Sequence, residues 1–316
     1  MKAMLKYTIR LLILFLLLNF SKGYAQDPKL PATNLGMINM QDGNPAPGSG
    51  WIFREFVQSY QSGSTRDGLG KPMPAPTISS LLSISQLIYQ SDVKIADGYL
   101  GYTFLVPLVK ISAANSSGEI PAVNPGYVGD MTAGVSVQWY NKKLFGLRFS
   151  HRLEADLGLP TGDYNTRYAI NPSSHLYNTT LHYTFTMFLT DKFAISMRHH
   201  LTYNFNEIGT SIKPGMFYNF NYSLEYPISE RVRAEIAGYY LTQINQDTYS
   251  GNSNYYQHTF GIADTRERIF AIGPGMSYQS PSGLFMELKG LQETAAKNRT
   301  QGFRLALGLA YLLDKH

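Results

Sequence analysis

The chain has 316 residues and no cysteine, which excludes disulfides and thiolate metal centres. It carries 27 Lys+Arg against 22 Asp+Glu, but Lys2, Lys6, Arg10 and Lys22 fall in the first 25 residues, where no acidic residue offsets them. The rest is close to neutral, so the basic excess is no argument for nucleic acid as a partner.

Residues 1–25 read as a secretory signal peptide, with N-terminal basic residues, the apolar run 11–20, and Gly23 and Ala25 before a cleavage point. The run is about half the roughly 20 residues a spanning helix needs, which weakens the alternative of an anchor helix. Residues 26–49 are rich in Pro, Gly, Asn and Asp without a period. They read as a periplasmic lead-in or plug.

From residue 50 onward, strand-like segments alternate with turn signals. The expected strands are 50–60, 80–90, 99–112, 131–140, 145–159, 176–189, 193–205, 216–226, 231–244, 269–278, 284–294 and 303–313. The fifth shows the pattern most clearly. Leu147, Phe149, His151, Leu153, Ala155, Leu157 and Leu159 share one face; Arg148, Ser150, Arg152, Glu154 and Asp156 share the other. A soluble sandwich would turn the apolar face to a core. An outer-membrane barrel would turn it to lipid and the charged face to the lumen. Three features decide for the barrel. Most strands approach or exceed the roughly ten residues that cross a bilayer, whereas soluble strands average five or six. The count is even. Connections alternate between short and long, with 245–267 the longest. The 23 Tyr and 17 Phe suit strands and membrane interfaces. No amphipathic helix is expected. The predicted architecture is a single all-β, twelve-stranded antiparallel transmembrane barrel over 50–316. Its location is the bacterial outer membrane, and its partners are outer-membrane lipid, small solutes and the barrel-assembly machinery.

Short turns fix register. Across 190–192, His182 is expected opposite His200 and Thr184 opposite Arg198, inside the barrel. Across 227–229, Glu225 is expected opposite Arg231 and Asn221 opposite Glu235. The expected lumen lining, and with it the solute pathway, is Arg148, Arg152, Glu154 and Asp156 on the fifth strand and His182, Arg198 and His200 on the next two. Arg233, Glu235, Glu287 and Arg304 complete it. Basic residues lead slightly, which leans the lumen towards small anions. The His182/His200 pair lacks a third ligand by spacing, so no metal or cofactor is expected. Ser150 and His151 point to opposite faces, and neither GxSxG nor HExxH occurs, so no catalytic set is expected.

Several runs resemble the outer-membrane family named for the meta-pathway of phenol degradation (SphA-like). They are PAPG at 45–48 leading into Trp51, Phe56, Tyr60, Asp67, Gly68 and Gly70; LGLPTGDY at 157–164 followed by Asn171; IGPGMSY at 272–278; and NRTQG at 298–302 before a final alternating strand. The chain departs from the pattern at its end, where LLDKH replaces the usual terminal aromatic. The resemblance implies a barrel that passes small, often aromatic, compounds, and it supplies no catalytic residues. The expected function is passive or facilitated solute uptake. The alternatives are a non-conducting structural barrel, with the Tyr- and Asn-rich stretch 245–257 as a contact surface, and an outer-membrane enzyme.

Overall fold

The computed structural model describes residues 34–37, 40–45, 48–114 and 120–313. The expected signal peptide and the first part of the lead-in lie outside the described residues. All twelve expected strands are present: β1 (Gly50–Arg66), β2 (Thr77–Ile95), β3 (Gly98–Ala114), β4 (Met131–Leu144), β5 (Leu147–Leu159), β6 (Leu176–Phe188), β7 (Ala194–Glu207), β8 (Phe217–Pro227), β9 (Val232–Gln243), β10 (Arg268–Gln279), β11 (Phe285–Lys297) and β12 (Arg299–Leu312). Each pairs antiparallel with its neighbours in sequence. β12 returns to β1, from Ile52 opposite Leu312 to Arg66 opposite Arg299, and closes the sheet. Closure leaves no edge, so the backbone groups of the wall are paired within it.

Side chains sort by the period-two rule, in the reverse sense to a soluble sandwich. Leu153, Leu157, Leu181 and Leu201 stand on the outside, each 40% or more exposed, whereas Gln138, Ser150, Thr184, Thr186, Asn219 and Asn221 are buried inside. An apolar exterior of this extent is untenable in water and favourable in lipid. The fold is that of an outer-membrane barrel.

The two ends differ as the sequence suggests. At the end holding both termini of the barrel, Ala96–Asp97 and Phe145–Gly146 form two-residue turns with positive φ at both positions. That is the hairpin geometry whose twist matches the strands. The opposite end carries the long connections. A short helix, α1 (Tyr255–Phe260), sits in the longest of them and ends at Gly261, whose φ is 71°. It is too short for periodicity to reveal it. Between β11 and β12 only Asn298 turns the chain, at φ 53°.

The LPTGDY run proves to be a loop lock. Asp163 accepts hydrogen bonds from the Tyr127 and Val128 amides (2.8 and 2.9 Å), and Asp130 accepts from Gly162, Ser173 and Ser174. Gly162 must lack a side chain, because a Cβ there would lie 2.5 Å from the Val128 carbonyl oxygen. Together these bonds fold the β3–β4 and β5–β6 connections in, and Ile170 packs on Ile78, Val109 and Ile111.

The expected pairing across β6 and β7 holds, with His182 opposite His200 and Thr184 opposite Arg198. The pairing expected across β8 and β9 does not. Glu225 faces Glu235, not Arg231, and Asn221 faces Tyr239, not Glu235. The turn sits two residues later than assumed: the Ile228 and Ser229 amides donate to the Val232 carbonyl (2.9 and 3.1 Å) and the Ser229 hydroxyl accepts from the Val232 amide at 3.1 Å, so the hairpin turns at 229–231. The slip is an even number of residues, so every side chain keeps its face.

Placing a charge on the lipid face should be costly. Leu153→Arg, near the middle of β5, is expected to destabilise the barrel by about 2–4 kcal/mol in equilibrium unfolding from lipid vesicles. A cost near zero would contradict the assignment of the outer face.

Candidate functional site

The lumen is occupied by the chain's own lead-in. Leu35, Met37, Met40 and Asp42 are all buried inside the barrel. This segment forms no strand, so its backbone groups must find other partners, and the wall supplies them. The Gly36 amide donates to Asn221 (2.7 Å), Met40 to Glu287 (2.8 Å), Gln41 to Glu225 (3.1 Å) and Gly43 to Thr186 (3.1 Å). In return, Gln58 donates to the Leu35 carbonyl, Asn219 to that of Asn34, and Gln138 to that of Gly43. Leu35 also packs against Tyr239, Leu241 and Leu291, an apolar patch of the inner wall.

Asp42 is the centre of the site. Its Oδ1 accepts from Arg54 Nη1 at 2.8 Å; its Oδ2 lies 2.6 Å from Arg198 Nη2 and 3.5 Å from Arg152 Nη2. Arg152 also donates to the Asp42 carbonyl oxygen at 3.1 Å and, through Nε, to Glu154 at 3.0 Å. The arginines come from β1, β5 and β7. Burial alone would raise the Asp42 pKa, but the fields of Arg198, Arg152 and Arg54 outweigh it and hold the carboxyl well below the usual range.

Beside this cluster, His182 Nε2 lies 2.9 Å from Asp156 Oδ2, and its ring stands edge-on to His200 with centroids 4.5 Å apart. Asp156 fits because its opposite residue on β4 is Gly134.

Two further charged groups lie along the inner wall. Arg233 pairs with Glu225 at 2.8 Å, while Lys289 lies 3.0 Å from Glu287 and 4.0 Å from Glu235. Gly275 leaves the room that Glu235 occupies. Arg304 meets Glu293 (3.1 Å), the Tyr239 hydroxyl (2.7 Å) and Gln58 (2.7 Å), and its guanidinium lies over the Tyr60 ring. Tyr239 donates a short hydrogen bond to Glu293.

Of the residues singled out in the sequence, Arg152, Glu154, Asp156, His182, Arg198 and His200 come together in one cluster. Arg233, Glu235 and Glu287 fall in a second, and Arg304 in a third. Arg148 joins none of them; it is exposed near the short-turn end, with its guanidinium 3.6 Å from the Phe188 ring centroid. Sequence reasoning missed Asp42, Arg54, Tyr239 and Glu293. β1 hides Arg54 because both its faces carry aromatics, Trp51 and Phe53 outside and Phe56 and Tyr60 inside, so alternation gives no clear contrast. Asp42 lies in a segment without a period. The usable signal was charge balance, because three inward arginines demand buried counter-charges.

Ser150 and His151 take opposite faces. Ser150 donates to Asn44 (2.8 Å) inside; His151 stacks on Trp139 outside, with centroids 4.7 Å apart. The wall also bears a groove of about 650 Å3, lined by Ala133, Ala155, Leu157, Leu181 and Tyr203 among others. Most of these side chains belong to the lipid-facing set.

A family model described as "Putative MetA-pathway of phenol degradation" matches residues 59–309. No curated protein matches the chain. Among solved structures, an outer membrane channel from Pseudomonas putida F1 superposes with a TM-score of 0.74 at 16% identity, covering 87% of this chain and 100% of that one. The CymD monoaromatic hydrocarbon channel aligns with a TM-score of 0.41 at 9% identity, covering 85% and 90%. The first of these shows a shared fold; the second is too distant to carry an argument.

The depressed pKa of Asp42 sets a pH window. A carboxyl whose pKa is lower when docked than when free contributes anchoring that is complete above the ordinary value of 3.8 and lost as pH falls through the docked value. Hydrogen exchange at the Met40, Gln41 and Gly43 amides should therefore be slower in the wild type than in Asp42→Asn by a constant factor from pH 7 to about pH 4. The factor should shrink only below that. A factor that collapses between pH 7 and pH 5 would contradict the three-arginine environment.

Proposed function

We propose that this chain, which belongs to the family described as "Putative MetA-pathway of phenol degradation", is an outer-membrane channel for passive or facilitated entry of small solutes, with aromatic compounds as the favoured class. One observation carries the proposal. The inner wall is mostly polar and charged apart from the apolar patch under Leu35, yet a noncovalently held segment of the chain, not wall side chains alone, fills its centre. A barrel that only had to be stable could fill its lumen from the wall, as eight-stranded barrels do. Here the filling can leave, and the wall it would leave behind is hydrophilic.

In this reading, residues 34–37 and 40–45 act as a plug and the charged clusters line the path. Arg152, Glu154, Arg198 and their neighbours set charge preference at the middle. Arg233, Glu235 and Glu287 line another stretch, and Arg304 lies beside the patch that holds Leu35. Aromatic solutes follow from the family description, and the inner rings of Tyr60 and Tyr239 offer them stacking partners. Binding at such a site must stay modest so that the solute can leave. No catalytic step enters the proposal. The filled lumen also favours a second reading, a non-conducting structural barrel, and flux separates the two.

The refolded mature protein in liposomes should pass benzoate and phenol several-fold faster than a sugar of similar size, and removal of residues 26–49 should raise all three rates. Equal rates for the three would make it a general pore. No flux above empty liposomes, from either form and with folding verified by heat-modifiable gel migration, would overturn the channel proposal in favour of the structural barrel.

A further inference from the structure

The arginine cradle at the middle of the lumen is built for a ligand that the chain itself supplies. Asp42 is not part of the wall. It sits on the inserted segment, and its carboxylate is the group on which Arg54, Arg152 and Arg198 converge. The other described polar contacts of residues 34–45 are mainly single hydrogen bonds from amides, carboxamides or hydroxyls. Both carboxylate oxygens are engaged, Oδ1 by β1 and Oδ2 by β5 and β7. Two-point capture of a planar carboxylate is the recognition that guanidinium groups do best. A neutral hydroxyl could not meet three donors in this way.

Withdrawing Asp42 leaves the three guanidiniums facing one space. Among the described carboxylates, only Glu154 stays in direct contact, through Arg152 Nε at 3.0 Å. Asp156 is engaged with His182. An uncompensated cluster of that kind in a confined space attracts an anion strongly.

We propose that Arg54, Arg152 and Arg198 form a binding site for the carboxylate of a small organic acid and that Asp42 is its tethered stand-in, so that substrate and plug compete for the same three guanidiniums. The inference rests on the channel reading and adds to it the substrate's charge-bearing group and the means by which the plug is displaced.

The test uses the full mature chain in liposomes, with benzoate and the neutral benzyl alcohol as probes. Asp42→Asn keeps the shape of the side chain and removes its charge. It should raise the benzoate to benzyl alcohol flux ratio about tenfold over wild type, and benzoate flux should saturate with concentration. Adding Arg198→Gln to Asp42→Asn should return the ratio towards the wild-type value. A ratio unchanged by Asp42→Asn, in liposomes that still pass benzyl alcohol through the protein, would overturn the cradle and leave the channel reading standing. Absence of protein-dependent flux for both probes would overturn both. A second measurement keeps Asp42 and does not depend on flux. The chain has no cysteine, so Asn44→Cys introduces a single thiol on the plug. Benzoate should accelerate its labelling by a water-soluble maleimide several-fold, and benzyl alcohol should not. Equal labelling with both probes would overturn the competition.

Discussion

A sheet in hydrocarbon can leave no backbone N–H or C=O unpaired, and that constraint shapes the rest of the molecule. It requires β12 to return to β1, and it makes the outer face apolar. Most hydrophilic character is thereby driven to the inside, where charges need counter-charges. Twelve strands enclose more space than wall side chains fill. The lead-in resolves both problems together. Its amides and carbonyls satisfy Asn221, Glu287, Gln58 and Gln138, and its Asp42 carboxylate balances three arginines.

Much of this was legible in the sequence, because a strand that divides lipid from lumen must alternate. β5 to β8 and β12 alternate cleanly, and their faces could be assigned residue by residue. The β6–β7 register was also legible, since a short turn leaves little freedom. The β8–β9 register was not, because it depends on Ser229 and Val232 closing the turn at 229–231, a detail that no periodicity encodes. α1 escaped for the same reason: six residues closed by Gly261 leave no pattern.

The site was legible only in part. Arg152, Glu154, Asp156, His182, Arg198 and His200 could be grouped because alternation and a short turn fix their places. Asp42 could not, since nothing local in 26–49 says where an aperiodic segment goes. The family motifs show the same division. Asp163 and Gly162 in the LPTGDY run hold loops together and touch no lumen charge, and Gly275 in the GPG run makes room for Glu235. These motifs mark the architecture of the barrel. In the channel reading, what the lumen admits depends mostly on side chains outside the motifs, with Tyr60 the exception.

The central claim is that the path runs through the lumen and is governed by the inserted segment. The absence of native cysteine makes a direct test possible. Asn44 and Ser150, whose side chains meet at 2.8 Å, can both be replaced by cysteine so that a disulfide ties the plug to β5. Benzoate flux through the same liposomes would be measured oxidised and then reduced. The account predicts little flux in the oxidised protein and wild-type flux after reduction. Equal flux in both states, with the cross-link shown to be complete, would place the path elsewhere and contradict it.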